Sequence, residues 1–141
     1  MAWQIELSDQ VVEFLDRLSD EERIRVIAVI GLLEQAGPSL PTPYSKLIVQ
    51  SKHKNMKELR IDYGTSCFRI LYAFDTTRKA VLLAAADKDA YGYERFYDDF
   101  IPLADELFDA RLTEISRAKA AVEAAKKSSK QGKKADRRRT R

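Results

Sequence analysis

The hydrophobic rhythm of the chain changes several times, and each change marks an element. Trp3 to Leu7 alternates apolar and polar residues, which predicts a short strand. The apolar positions then regroup as Val11, Val12, Phe14, Leu15 and Leu18, one face of a helix that Ser8 or Asp9 can cap. Ser19 begins S-D-E-E, where Glu22 at the third helical position makes a capping box. The second helix places Ile24, Ile27, Ile30 and Leu33 on one side and stops at Gly37-Pro38. With almost no loop between them, the two form an αα-hairpin.

Residues 37–52 hold Pro38, Pro41 and Pro43 and read as a surface loop, leading into Lys52, His53 and Lys54. A period of two then returns in three runs, about Lys57–Asp62, Ser66–Asp75 and Ala80–Asp87. Their connections are short enough for an antiparallel meander. On the middle run Phe68, Ile70, Tyr72 and Phe74 point one way, and Cys67, Arg69, Leu71 and Ala73 the other. On the first, Leu59 and Ile61 oppose Glu58, Arg60 and Asp62. The simplest packing lays the helices on the Leu59/Ile61 and Phe68/Ile70 face, leaving Arg60 and Arg69 on an open face. Pro102 is expected to open a last helix with Leu103, Leu107, Phe108, Leu112 and Ile115 on one stripe. The final KKSSKQGKKADRRRTR has no apolar periodicity and is expected to be disordered.

The expected fold is therefore α+β. A small antiparallel-dominated sheet, the N-terminal strand plus a three-stranded meander, packs on an N-terminal αα-hairpin, with a C-terminal helix. Residues 1–115 form the domain, and 116–141 a helical extension running into the basic tail. A chain of 141 residues fits one domain plus a tail. Cys67, the single cysteine, excludes an internal disulfide and fits a reducing cytoplasm. The N-terminus lacks the basic start and apolar run of a secretory signal, and no stretch approaches the roughly 20 apolar residues that span a bilayer. A cytoplasmic protein without membrane contact is expected. The lone histidine, His53, removes most metal-site and triad options, so neither metal nor cofactor is expected. Cys67 and His53 could pair as nucleophile and base, but a half-buried strand cysteine is usually inert packing.

Charge sharpens the picture. Residues 126–141 hold nine Lys/Arg and one Asp, whereas residues 1–125 hold 16 Lys/Arg against 21 Asp/Glu. Within that acidic body, residues 46–95 carry ten basic and six acidic residues. The body is thus acidic with a basic centre on the meander. Cations on rigid strands suit a phosphate ligand better than they suit structure. The plainer readings stand beside this one. Arg60 can pair with Glu58 or Asp62 on a solvated face, and Lys88 can be an ordinary turn residue. The tyrosines can pack the last helix, His53 can be a solvated loop residue, and the tail can be a non-specific polyanion-binding arm.

The order strand, two helices, meander, with basic residues on the meander, resembles the RelE/ParE superfamily of bacterial toxins. Leu59-Arg60-Ile61, Cys67-Phe68-Arg69-Ile70-Leu71-Tyr72 and Asp87-Lys88-Asp89 carry the resemblance. Arg95-Phe96-Tyr97 through Ile101-Pro102-Leu103-Ala104-Asp105 is similar to the phage-derived HigB-like branch. The likeness covers roughly residues 2–115. It implies the toxin of a type II toxin–antitoxin pair, a ribosome-dependent endoribonuclease that cuts mRNA and blocks translation. The partners implied are the ribosome, mRNA and a helix-turn-helix, HigA-like antitoxin. Two alternatives stay open: a ParE-like inhibitor of DNA gyrase, and a catalytically inactive toxin-fold module that binds protein.

Metal-free RNA cleavage needs a base for the 2′-hydroxyl, cations for the charged phosphorane and an acid for the leaving oxygen. Under the resemblance, Arg69 and Arg60 are the expected phosphate cations. Lys88 is a candidate base if Arg60 and Arg69 crowd it, and Tyr93 is the tyrosine expected nearest the site. Asp62 departs from the family pattern, standing where RelE-type toxins offer a second lysine. His53 is the alternative base, in a loop expected to be mobile. Lys52, Lys54, Lys57, Tyr91 and Tyr97 complete the expected RNA contacts.

Overall fold

Two serines start the helical hairpin. In the computed structural model, which describes the backbone of residues 2–139 and the side chains of residues 2–129, strand β1 (Ile5–Leu7) leads into α1 (Asp9–Arg17). The Ser8 hydroxyl oxygen accepts from the Val11 amide at 3.3 Å, and its proton goes to the Leu83 carbonyl at 2.6 Å. One residue thus caps the helix and pins it to the sheet. Helix α2 (Asp20–Ala36) begins with the complete Ser19/Glu22 capping box. Arg23 turns back to donate to the Leu15 and Leu18 carbonyls, each at 3.0 Å. These bonds satisfy acceptors that the end of α1 leaves open. At the far end Gly37 has φ 59°, and a Cβ there would run into the Trp3 indole.

The sheet has five strands in the order β1-β5-β4-β3-β2. Strands β3 (Lys57–Tyr63), β4 (Ser66–Phe74) and β5 (Ala80–Asp87) form the expected antiparallel meander, and β1 joins β5 in parallel. The strand missing from the sequence reading is β2 (Ser45–Leu47), antiparallel to β3 at the other edge. The proline-rich segment is therefore not wholly a loop. A 3-10 turn over Gly37–Ser39 and this edge strand interrupt it. A register shift between Leu71 and Tyr72 leaves Leu83 unmatched on β5.

One face of the sheet holds the core. Leu59, Ile61, Phe68, Ile70, Tyr72 and Leu82 cluster with Val11, Phe14, Leu15, Val26 and Leu33 of the hairpin. That side is as expected. The other face is not open. Glu58, Arg69, Leu71 and Ala73 are buried there, as are Phe96, Ile101, Ala104 and Phe108 from α4 (Tyr93–Arg139). The Tyr97 hydroxyl, bonded to Glu58 at 2.8 Å, ties α4 across that face. The physical reason is the stripe Phe96–Phe108, whose apolar area must be covered. Pro102 lies inside α4 and does not open it. A four-residue helix, α3 (Lys88–Tyr91), precedes it and ends at Gly92, φ 114°.

The chain divides into two compact units, Met1–Asp109 and Ala110–Arg141. The second is the remainder of α4 and carries no buried side chain among residues 110–129. Residues 126–139, expected to be disordered, have helical backbone. Alanine, lysine, glutamine and arginine are strong helix formers and need no apolar stripe to favour it. The last two residues of the expected tail, 140 and 141, lie outside the described ones. Among the described residues no helix is long and apolar enough to cross a membrane.

Candidate functional site

Strand pairing brings the charged residues together. Arg60 and Arg69 are direct cross-strand partners, and Asp62 lies opposite Cys67, beside Arg69. Like charges placed opposite each other destabilise a sheet. Here two carboxylates offset the cost. Arg69, only 2 % exposed, donates from Nη1 to Asp62 Oδ1 at 2.9 Å and to the Phe68 carbonyl at 2.9 Å. That bond, with the charges of Arg69 and Arg60 behind it, holds the Asp62 carboxyl below the usual carboxylate range. Glu58, 1 % exposed, lies 3.8 Å from Arg60 Nε and accepts both bonds from Tyr97, at 2.8 and 3.1 Å. Burial first, and then the Glu58 bond, raise the Tyr97 phenol well above its ordinary value.

The two arginines differ in availability. Arg69 is enclosed and largely occupied, with a buried Nε that has no partner. The Arg60 side chain is 31 % exposed, and its Nε also lacks a hydrogen-bond partner. Its guanidinium is the cation of this face with donors to offer. Lys88 opens α3, whose cap Asp87 also accepts from the Cys67 amide at 3.0 Å. Lys88 is 5 % exposed, and its ammonium lies 4.0 Å from the Tyr93 ring centroid and 5.5 Å from that of Tyr97. Tyr93 itself is 65 % exposed. Glu58, Arg60, Asp62, Arg69, Lys88, Tyr93 and Tyr97 therefore make one neighbourhood: three cations, two carboxylates and two rings, one of them open to solvent.

The remaining candidates lie elsewhere. His53 is no solvated loop residue. Its Nε2 meets Asp109 Oδ1 at 2.8 Å, and its ring stands edge-on to Phe108 at 4.8 Å. Lys52 pairs with the same Asp109, and that bond raises the lysine and lowers the carboxyl from their ordinary values. Asp105 accepts from Ser51 Oγ at 2.5 Å and from the Lys52 amide at 3.2 Å, so the 51–53 turn is clasped to α4. Asp109 follows Tyr97 by about 18 Å along the helix at the ordinary rise. The clasp is thus a separate feature from the arginine pair. Lys54 is exposed. Lys57 shares the hairpin face with Leu59, and its ammonium donates to the Pro38 carbonyl at 3.2 Å. Tyr91 bonds Asp99, which raises its phenol. Sequence reasoning weighed Glu58 only as a partner of Arg60. The Glu58/Arg60/Asp62 alternation was its signal, and only α4 shows that Glu58 anchors Tyr97. Among the described residues no cluster of three His, Cys, Asp or Glu side chains is placed to hold a metal ion.

Residues 13–109 match the family model of phage-derived Gp49-like proteins. Two curated proteins of Mycobacterium tuberculosis are similar. "Putative toxin HigB2" is 40 % identical over 112 residues, 79 % of this chain but 55 % of the relative, so the chain spans about half of that protein's length. "Putative toxin HigB3" is 43 % identical over 100 residues, 71 % of this chain and 85 % of the relative. Among solved structures, a mutant of the E. coli toxin RelE in the free state aligns with TM-score 0.48 at 10 % identity, covering 64 % of this chain and 87 % of that one. The toxin–antitoxin complex RelBE2 of M. tuberculosis aligns with TM-score 0.46 at 17 % identity, covering 62 % and 99 %. On the family match and the HigB3 identity, the chain belongs to the phage-derived Gp49-like family, the HigB-like branch that its sequence resembles.

Proposed function

We propose that this chain is the toxin of a type II toxin–antitoxin pair and acts as a ribosome-dependent mRNA endoribonuclease. The observation that carries the reading is the cross-strand arginine pair, in which the Arg60 side chain stays partly exposed while Arg69 is enclosed. A planar guanidinium can grip two phosphate oxygens at once and hold the charge that develops during 2′-hydroxyl attack. Arg69 and Lys88 add positive potential from behind, and Tyr93 offers a face on which a base can stack. Asp62 is the exposed carboxylate available to accept the proton. Its lowered pKa makes it a weak base, so charge stabilisation and positioning supply most of the rate. A helix-turn-helix antitoxin would silence the protein by covering this face.

A second reading has its own support. Asp62 occupies Arg69, and two rings cover Lys88, which suits a binder without chemistry. Induced expression followed by mapping of mRNA 5′ ends separates the two. Wild type is expected to produce cuts within translated codons. Arg60→Ala is expected to lower cutting about 100-fold or more, the scale of a lost transition-state charge contact. Growth arrest without cuts, or equal cutting by Arg60→Ala, sinks the nuclease reading. DNA damage without cuts favours gyrase.

A further inference from the structure

Helix α2 is apolar on two sides. Ile24, Ile27, Ile30 and Leu33 are expected on one side, but a spacing of three falls about 60° short of a full turn at each step, so the row winds half-way round the helix. Leu33 is buried, whereas Ile24 and Ile27 are 67 % and 51 % exposed. Val26 and Leu33 hold the inner side, with Val29 and Ile30 packed against the same core. Ala28 and Leu32 join Ile24 and Ile27 on the outer side, and all four are exposed. A helix that is apolar all round is one that other structure covers all round.

The outer side has a symmetry of its own. Seven residues make nearly two turns, so Glu21, Ala28 and Gln35 stand in line along its middle. Ile24 and Leu32 lie four residues to either side of Ala28, and Arg25 and Gly31 lie three. A second α2 laid antiparallel, on a two-fold axis through Ala28, therefore matches the first pair by pair. Ile24 of one copy meets Leu32 of the other, and Ala28 meets Ala28. The Glu21 carboxylate, which the Tyr63 hydroxyl holds at 2.7 Å, meets the Gln35 amide, a donor. Arg25, whose guanidinium lies 5.2 Å from the Tyr63 ring centroid, meets Gly31. The space there is open, since a Cβ added to Gly31 would have no atom within 4 Å. Parallel copies would instead set Glu21 against Glu21 and Arg25 against Arg25, which repel. An isologous contact needs a surface that matches itself, and a foreign partner does not.

We propose that the outer side of α2 is a self-association face, on which a second copy of this chain seats its own α2 antiparallel about Ala28. The arginine pair lies on the opposite face of the sheet from the hairpin, so both copies keep it clear of this contact. The proposal stands apart from the nuclease reading. Its contact is one helix of 17 residues, about 25 Å long. Such a contact falls below about 1,200 Å² of buried surface, the range of weak complexes, so dissociation in the micromolar range is expected.

The test follows the full chain by sedimentation velocity from about 1 to about 300 μM, which brackets such a dissociation constant. Wild type should pass from the mass of one chain, 16.1 kDa, to twice that mass. Ala28→Glu and Ala28→Lys each set like charges together on the axis and should raise the dissociation constant about 100-fold or more. Glutamate and lysine are good helix formers and the position is exposed, so circular dichroism and thermal melts should be unchanged. Mixed in equal amounts, the two variants should restore a dimer with one copy of each, because position 28 faces only itself. A wild type that keeps the mass of one chain throughout overturns the proposal. Association that Ala28→Glu leaves intact overturns it as well, and so does a mixture of the variants that stays monomeric. If wild type stays single and Ala28→Glu instead abolishes capture of a co-expressed antitoxin, the face belongs to that protein and the proposal falls.

Discussion

The two faces of the sheet carry the same strands and obey different rules. The hairpin face is apolar, with Leu59, Ile70 and Tyr72 fully buried against α1 and α2. The α4 face buries Glu58 and Arg69, at positions alternate with Leu59 and Ile70, and Lys88 at the start of α3 is buried as well. Burial of apolar area stabilises a fold, whereas a buried charge costs free energy unless its partners are all in place. The first face therefore accounts for the fold. The second tolerates charge that folding does not require, which is where a ligand for that charge should be sought.

Substitutions on each face should separate these roles. Ile70→Ala, on the hairpin face, should cost about 2–5 kcal/mol in a denaturant titration and leave too little folded protein to arrest growth. Arg60→Ala, on the other face, removes a partner of the buried Glu58 but leaves the apolar core intact, so it should cost less stability than Ile70→Ala in the same titration while lowering cleavage about 100-fold or more. Equal stability losses from the two would erase the contrast.

The pH limbs sharpen it further. Asp62 has a folded pKa below its unfolded value of about 3.9. Its contribution is therefore present above that pH and lost as pH falls through the folded value. Asp62→Asn should flatten the acid limb of a stability–pH curve below about pH 4. Tyr97 has the opposite sign. Its folded pKa is raised, so its contribution is complete below about pH 10 and declines as pH rises further. Tyr97→Phe should remove that alkaline decline, the smallest of these effects, measured by thermal melts from neutral to strongly alkaline pH.

Much of the hairpin face was legible in the sequence. Ser8, Ser19 and Gly37 are local punctuation, and the alternation from Phe68 to Phe74 needs only the period of a strand. The α4 face was legible in part. Arg60 and Arg69 could be assigned to one side by parity, but their register depends on the turn between β3 and β4. Glu58, Arg60 and Asp62 have the composition of a solvated face. Glu58 is buried and Arg60 half-buried because α4 arrives from later in the chain and brings Tyr97, while Asp62 stays exposed. Ser45–Leu47 is a strand only because β3 lies beside it, so its three residues hold no period of their own. His53 depends on Asp109, a contact that spans the domain and leaves no local trace.

The parallel pairing of β1 with β5 has a consequence for synthesis. Ile5 faces Ala80, so the first strand made must wait for the last before the sheet can close. Growing at about 5–20 residues per second, the chain leaves that partner unmade for several seconds. Arg60 and Arg69 cannot be framed by α4 until later still. On the proposed function, a nascent chain would lack the framed arginine pair throughout that interval.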